Sequence, residues 1–185
     1  LHTYTPAEGW KEYANIPNCI HTWGFWRDSD GSIWVSTGSR APGDNSTHNA
    51  QALKAPSVNG PWTEMKNFGD EPLSYRAYDI RRFNGRLYCT VARQNPDRWT
   101  NLYDGGVDGS TWSEVTELNS ALDYYERMVD YQGKLLIFNR ARDHFYVLNT
   151  DNTFSTMPLP GVVDKWSYNS ATVGGDGYLY VAVGD

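Results

Sequence analysis

Apolar and polar residues alternate along short stretches of this chain, and the alternation recurs four times just after a turn that contains glycine. The four stretches are DGSIWVS (30–36), NGRLYCT (84–90), QGKLLIF (132–138) and DGYLYVA (176–182). A period of two is that of a β-strand with one buried face. The positions two and four residues after the glycine hold Ile33 and Val35, Leu87 and Cys89, Leu135 and Ile137, and Leu179 and Val181. The pattern therefore predicts four equivalent buried strands.

A second element recurs beside the first, as EGWKE (8–12), NGPWTE (59–64), DGSTWSE (108–114) and DNTFST (151–156). Its aromatic residues are Trp10, Trp62, Trp112 and Phe154. A further candidate strand precedes each glycine turn, at 20–26, 76–83, 126–131 and 168–173. Four antiparallel strands in roughly 40–50 residues are typical of a β-propeller blade. The sequence therefore predicts an all-β fold, a four-bladed β-propeller with four-stranded antiparallel blades.

The predicted blades lie at about 20–67, 75–118, 124–160, and 166–185 plus 1–14, in a single domain over residues 1–185. The fourth blade takes its inner strands from the C-terminal residues and its outer strands from the N-terminal residues. Sharing one blade in this way closes the ring and leaves no free sheet edge, which would otherwise invite aggregation. The alternative is that these residues form part of a larger propeller or of a longer chain.

Composition narrows the classes of function. Aromatic residues make up 15% of the chain, which suits a pleated surface. A net charge of −6 argues against nucleic-acid binding, which depends on Lys and Arg neutralising phosphates. No apolar run approaches the roughly 20 residues of a membrane helix, so no membrane partner is expected.

The two cysteines, Cys19 and Cys89, do not form a CxxC pair, and no metal site or cofactor is predicted. Cys89 occupies a position that the other repeats fill with Val or Ile, so we expect it to behave as a small core residue. A Cys19–Cys89 disulfide and a catalytic thiol are the alternatives.

The outer turns SVNGPW (57–62) and DGSTW (108–112) are similar to degenerate Asp-box turns of sialidase-type (BNR) propellers. In that family a Ser or Thr, an Asp, a Gly and a Thr-Trp recur once per blade. This chain departs from the pattern at Asn59, which replaces the Asp, and at Phe154, which replaces the Trp. The resemblance implies a propeller fold with structural turns and says little about activity.

The starts of the inner strands carry the candidate binding residues, because side chains there converge on the axis of a propeller. Aromatic rings cover apolar ligand faces while Arg, Asn and His supply hydrogen bonds, so this set suits a glycan or another polar ligand. The alternative is that the charged members pair with each other or hold water or an ion. The predicted ligand-binding residues are His21, Trp23, Tyr75, Arg76, Tyr78, Tyr125, Glu126, Arg127, Tyr168 and Asn169.

Catalysis is not favoured by the same residues. Neighbouring residues on a strand point to opposite faces, so Tyr125 and Glu126 are not expected to face the axis together as a nucleophile pair. None of the 4 histidines lies in a nucleophile-elbow context. We therefore predict no catalytic residues and a non-catalytic, lectin-like recognition module that binds a glycan at the axial face, located extracellularly or on a virion or cell surface. The alternatives are a structural component with protein partners in a larger assembly, and a glycoside hydrolase that uses Glu126.

Overall fold

The structure is a computed structural model, and it describes residues 1–13, 15–17, 19, 21–38, 50–70, 74–95, 97–118, 125–139, 144–159 and 168–183. These residues form β-strands with two short 3₁₀ turns, Phe68–Asp70 and Thr116–Leu118, so the prediction of an all-β fold is confirmed. The strands are β1 (His2–Thr5), β2 (Gly9–Glu12), β3 (His21–Arg27), β4 (Ile33–Gly38), β5 (Gln51–Ala55), β6 (Thr63–Asn67), β7 (Ser74–Phe83), β8 (Arg86–Asn95), β9 (Asp97–Asp104), β10 (Ser113–Glu114), β11 (Tyr125–Tyr131), β12 (Lys134–Asn139), β13 (His144–Leu148), β14 (Phe154–Pro158), β15 (Tyr168–Val173) and β16 (Leu179–Val183).

Consecutive strands pair antiparallel in three meanders, which we name unit 1 (β3–β6), unit 2 (β7–β10) and unit 3 (β11–β14). Two further pairs form the N-terminal hairpin (β1–β2) and the C-terminal hairpin (β15–β16). Units 1 and 2 are joined into one sheet, because Gly38 at the end of β4 pairs with Arg76 near the start of β7.

The first strand of each meander is an inner strand, since β3 lies against β7, β7 against β11, and β11 against β15. Buried apolar residues fill the space between successive units, and between unit 3 and the C-terminal hairpin. One core joins units 1 and 2 around Trp34 and Leu87, a second joins units 2 and 3 around Tyr88 and Leu135, and a third joins unit 3 to the C-terminal hairpin. The alternating faces predicted from the sequence thus become interfaces between stacked sheets.

The two hairpins do not belong to one sheet in the described structure. β1 pairs with β2 and β15 pairs with β16, in separate two-stranded sheets. The β16–β1 pairing that a closed four-bladed ring requires is not among the pairings of the described strands. No helix in the described residues is long and apolar enough to cross a membrane.

Short aspartate turns connect the strands and explain why the turn motif recurs. In each, a carboxylate oxygen accepts the backbone N–H two residues later, which fixes the chain reversal locally. The N–H to oxygen distances are 2.8 Å for Ser32 to Asp30, 3.0 Å for Ser110 to Asp108, 3.0 Å for Thr153 to Asp151 and 3.1 Å for Tyr178 to Asp176. The sequence DSDG at 28–31 therefore forms a turn.

Both cysteines are free thiols. Cys89 is fully buried in the core between units 1 and 2, as its repeat position predicted. Burial, and secondarily the charge of Asp79, raises the pKa of Cys89 well above its usual value. Burial also raises the pKa of Cys19. A raised pKa disfavours the thiolate, so neither cysteine is an activated nucleophile.

Candidate functional site

Each of the four inner strands shows a register shift near its start, of the kind that a β-bulge produces. The shifts lie between Thr22 and Gly24 in β3, between Ser74 and Arg76 and between Ala77 and Asp79 in β7, between Tyr125 and Met128 in β11, and between Tyr168 and Ser170 in β15. A bulge leaves backbone groups outside the ladder and re-aims the side chain of the extra residue. The residues inside these shifts are Trp23, Tyr75, Tyr78, Glu126, Arg127 and Asn169, all of them members of the predicted binding set.

Arg127 of β11 holds two of these bulges in place. Its Nη1 donates to the carbonyl oxygen of Trp23 in β3 and to that of Tyr78 in β7, the latter at 3.2 Å. Both carbonyls belong to bulged residues, and a bulged residue lacks its ordinary ladder partner. One guanidinium therefore links three inner strands at the same level.

Asp79 of β7 makes the reciprocal connection to β11. Its Oδ2 accepts the N–H of Met128 at 2.9 Å, and its Oδ1 accepts the N–H of Ile80 at 2.9 Å. The Nε of Arg81 lies 3.5 Å from Oδ2, without hydrogen-bond geometry. Burial raises the pKa of the Asp79 carboxyl, and the charges of Arg81 and Arg127 with the two amide hydrogen bonds offset this only in part. The carboxylate holds the backbone of two strands together.

Gly24 permits the close approach of β3 and β7 beside this carboxylate. A Cβ at this position would lie 2.8 Å from the Cα of Asp79 and 2.4 Å from the Oγ of Ser36. Real Cβ atoms do not approach backbone atoms that closely, so no other residue fits without moving a strand. The sequence WG at 23–24 thus combines a bulged aromatic residue with the smallest residue at the point of contact.

Three of the predicted residues, His21, Arg76 and Tyr78, surround the ring of a fourth, Trp23. The ring centroid of Trp23 lies 5.4 Å from that of His21 and 5.4 Å from that of Tyr78, which it meets edge to face. The guanidinium carbon of Arg76 stands 4.9 Å from the Trp23 centroid, and its Nη1 lies 3.5 Å from the Tyr78 hydroxyl. His21 is exposed, Trp23 and Arg76 are partly buried, and Tyr78 is 9% exposed. We name His21, Trp23, Arg76, Tyr78, Asp79 and Arg127 the inner-strand cluster.

Within the described residues, the indole Nε1 of Trp23 is buried and has no hydrogen-bond partner. A buried donor without an acceptor costs about 1–3 kcal/mol. The edge of the Trp23 ring thus carries a polar group that the described structure leaves unsatisfied.

Of the residues predicted to bind ligand, the structure brings together His21, Trp23, Arg76, Tyr78 and Arg127. For the other five it describes the backbone, and their side chains lie outside the described part. Tyr75 lies in β7, Tyr125 and Glu126 begin β11, and Tyr168 and Asn169 begin β15.

Two members of the site, Asp79 and Gly24, were not among the predicted binding residues. The sequence signal for Asp79 is a carboxylate within an otherwise apolar and basic inner strand, YRAYDIRRF at 75–83. That Tyr125 and Glu126 do not face the axis together stays a prediction, because the described structure gives the backbone of these two residues and a register shift between Tyr125 and Met128.

Positive charge elsewhere in unit 2 is matched by nearby carboxylates. Arg82 bonds both oxygens of the Asp28 carboxylate, with Nε at 2.9 Å and Nη2 at 2.8 Å from Oδ2, and it also donates to the carbonyls of Gly85 and Val107. Burial alone raises the pKa of Asp28, but the bonds from Arg82 and Ser29 lower it overall. Arg86 pairs with Asp104 at 2.8 Å. Arg82 of β7 therefore links unit 2 to the β3–β4 turn of unit 1.

Within the described residues, no group of three or more His, Cys, Asp or Glu side chains is close enough to hold a metal ion. Asp79 and Arg127 of the inner-strand cluster are engaged with the backbone. This arrangement can present aromatic faces, and it holds them on bulges that are fixed by hydrogen bonds.

Comparisons with known proteins bear on the fold. No protein-family model matches this chain, the Asp-box families included, and no curated protein matches it. Among solved structures, a structural-genomics protein described as a candidate gluconolactonase matches with a TM-score of 0.62 and 16% identity, over 89% of this chain and 58% of that chain. A streptogramin B lyase structure matches with a TM-score of 0.46 and 12% identity, over 100% of this chain and 76% of that chain.

The first of these neighbours is a β-propeller. The present chain spans 58% of the length of the first. The likeness at 16% identity establishes the fold alone. The chain therefore has a fold of the β-propeller type.

Proposed function

We propose that this protein is a non-catalytic recognition module whose inner-strand cluster binds a glycan, presented outside the cell or on a virion or cell surface. The observation that carries the proposal is the grouping of His21, Arg76 and Tyr78 around Trp23 at the bulges of the inner strands. Aromatic rings with a few oriented polar groups are the usual composition of a sugar-binding surface.

Preorganisation supports this role. Arg127 and Asp79 fix the backbone on which Trp23 and Tyr78 stand, so little side-chain or loop ordering is left to oppose binding. The guanidinium carbon of Arg76 lies 4.9 Å from the Trp23 ring centroid, within the range of a cation–π contact, which holds the indole in place.

The environment of Asp79 favours binding over hydrolysis. Each of its oxygens accepts a backbone N–H, so this carboxylate serves the structure rather than acting as a general acid or base. A paired-carboxylate glycosidase needs two acids about 5–10 Å apart with freedom to exchange protons. Asp79 is the one carboxylate of the cluster and is committed to holding β7 and β11; Asp130 of β11, whose pKa is raised by burial and secondarily by the charge of Asp79, lies outside the cluster.

The closed four-bladed ring is also part of the proposal. In such a ring the bulges of β3, β7, β11 and β15 surround one axis, so that Asn169 and Tyr168 complete the surface that His21 and Trp23 begin. The succession of contacts from β3 through β7 and β11 to β15 supports this arrangement.

The test is a glycan array probed with the purified protein, followed by titration of any hit. Trp23→Ala should weaken binding at least tenfold, which corresponds to about 1.4 kcal/mol. Tyr178→Ala is the matched control, because Tyr178 is an aromatic residue that is 68% exposed and lies outside the cluster. Both variants must retain a cooperative thermal transition.

An array without any hit, or equal binding by both variants, would contradict the proposal. Hydrolysis of aryl glycosides that disappears in Glu126→Gln would support the glycoside hydrolase instead. A stable assembly with other chains and no glycan binding would support the structural role.

A further inference from the structure

A cavity of about 360 Å³ lies between unit 2 and the β13–β14 turn of unit 3, beside the core that joins these two units. Unit 2 lines it with Arg86, Asp104 and Ser113, and unit 3 lines it with Leu148 and Phe154. Among the described residues it shares none with the inner-strand cluster. Its volume falls within the range of about 300–1,000 Å³ that small-molecule sites occupy.

The equivalent space between units 1 and 2 is filled by an indole. Trp34 and Tyr88 are equivalent, because each stands three residues after the repeat glycine of its unit. Trp34 is fully buried, and a Cβ on Gly109 in the β9–β10 turn would lie 2.6 Å from its Cη2. The glycine is therefore in contact with the indole, and a side chain at this position has no room.

Both of these positions differ at the junction of units 2 and 3. Tyr88 replaces the larger tryptophan, and Asn152, one residue after the turn aspartate, replaces Gly109. The backbone is left-handed at both turn positions, with φ +65° for Asn152 and +75° for Gly109. Asparagine adopts this conformation more readily than most residues other than glycine. Asn152 therefore keeps the left-handed turn position and brings an amide side chain to the cavity.

Tyr88 supplies a hydrogen-bond donor to the cavity. It is 3% exposed, and its hydroxyl is hydrogen-bonded with Arg86. Arginine is a donor only, so the phenol oxygen accepts this bond and its own proton remains for another acceptor. Burial, and secondarily the charge of Asp104, raises the pKa of Tyr88, so the phenol keeps that proton.

Asp104 supplies an acceptor next to this donor, because it pairs with Tyr88 across β8 and β9. Its Oδ2 accepts the Nε–H of Arg86 at 2.9 Å, and its Oδ1 accepts the N–H of Gly106 at 2.8 Å. The Nη2 of Arg86 lies 2.8 Å from Oδ2. A carboxylate has about four acceptor positions, so these contacts leave capacity for a ligand hydroxyl. Ser113, which pairs with Asp104 from β10, adds a second hydroxyl to the same wall.

The charges that face the cavity cancel, because Arg86 and Asp104 form an ion pair. Glu114 also borders the cavity, but it pairs with Tyr103, a residue of the core on the opposite side of the sheet. Its Oε1 accepts a hydrogen bond from the side-chain amide of Asn101 at 2.6 Å. An anion in the cavity would lie beside Asp104 and a cation beside Arg86, so a neutral ligand is favoured.

We propose that this cavity binds one neutral sugar ring of a glycan. Sugar hydroxyls both donate and accept hydrogen bonds, which matches the adjacent donor of Tyr88 and acceptor of Asp104. The C–H face of the ring matches the apolar surface that Val115, Leu148 and Phe154 supply. The inference goes beyond the proposed function, because it concerns a separate site, and it holds whether or not the inner-strand cluster binds glycan.

The test is a titration of isotope-labelled protein with the methyl glycosides of galactose, glucose and mannose, followed by NMR of the backbone amides. At least one glycoside should produce saturable shifts centred on Ser113, Val115 and Asn152. The uronic-acid and amino-sugar analogues of that ring carry a charge. Each should bind at least about tenfold more weakly, since Arg86 and Asp104 already neutralise each other.

Two variants remove one polar group each from the cavity. Tyr88→Phe removes the hydroxyl, and Asn152→Gly removes the amide while keeping a residue that adopts the left-handed backbone. Each should weaken binding at least about tenfold. The matched controls are Tyr131→Phe and Gln132→Gly at the β11–β12 turn, where Gln132 is also left-handed, with φ +50°. Both controls should bind as the unsubstituted protein does.

The absence of saturable shifts with all three glycosides would overturn the inference, as would equal affinities in the variants and their controls. Tighter binding of a charged analogue would overturn the assignment of a neutral ring. Trp23→Ala should leave the shifts at the cavity unchanged, so that failure of this site is distinguishable from failure of the inner-strand cluster. Loss of those shifts in Trp23→Ala would show that the cavity is not a separate site.

Discussion

Replacing Arg127 by Met tests whether one guanidinium holds the bulged inner strands together. Met keeps much of the side-chain volume and removes the donor to the carbonyls of Trp23 and Tyr78. A hydrogen bond to a charged group contributes about 1.5–3 kcal/mol, and a buried carbonyl left unpaired costs a similar amount. We therefore expect the free energy of unfolding to fall by about 3–5 kcal/mol, a large part of the roughly 5–15 kcal/mol of a typical domain.

The assay is urea unfolding followed by tryptophan fluorescence, with Arg86→Met as the control. Arg86 also pairs with a carboxylate, but its side chain is 43% exposed, and pairs at such sites contribute about 0–1 kcal/mol. A loss below about 1 kcal/mol in Arg127→Met, or equal losses in the two variants, would refute the assigned role of Arg127.

The pH dependence gives a second readout of the same variant. The folded-state pKa of Asp79 lies above its unfolded value, so its contribution to stability is fully present below the unfolded pKa and is lost as the pH rises through the folded pKa. The charge of Arg127 lowers the pKa of Asp79, so Arg127→Met should raise that pKa further. The pH range over which the contribution of Asp79 is lost should then extend to higher pH. The variant should therefore lose more stability near neutral pH than below about pH 4, near the usual pKa of an aspartate.

Two further predictions concern the contact between units 1 and 2. Gly24→Ala should lower the free energy of unfolding by about 1–3 kcal/mol, because the added Cβ would meet the backbone of β7. Gly175→Ala is the control, since a Cβ there meets nothing within 4 Å, and it should change the melting temperature little. Equal melting temperatures would show that β3 can move away. In the unsubstituted protein the lowered pKa of Asp28 gives stability that is present above the unfolded pKa and is lost as the pH falls through the folded one. Arg82→Met removes the hydrogen bonds and the charge of Arg82, which lower the pKa of Asp28, and leaves the Ser29 N–H. The loss of stability toward low pH should therefore become shallower, and melting curves at several pH values that keep the original slope would contradict this.

The positions of the strands follow from the sequence, because the cause of each strand is local. Alternation with a period of two marks a buried face, and an aspartate that caps its own turn marks the reversal that follows. Cys89 shows how far this reasoning extends, since its repeat position alone identified it as a core residue. Packing between sheets, seen in Trp34 and Tyr88, continues the same periodic pattern.

The sequence predicted most residues of the inner-strand cluster but not the backbone bulges that hold them in place. The sequence placed Trp23, Arg76, Tyr78 and Arg127 near one another, since each stands at a strand start in equivalent repeats. It did not predict the bulges, because a bulge is set by how two neighbouring ladders fit together and has no local signal of its own.

What the sequence by itself determined is an all-β chain of repeated strands and turns, with aromatic residues gathered where the inner strands begin. Only the tertiary structure decided which side chains hold those strands together. Arg127 donates to carbonyls that the bulges leave unpaired, and Asp79 accepts amides from two strands. Buried backbone groups must find partners, and those partners come from distant segments that only the folded chain brings within hydrogen-bonding distance.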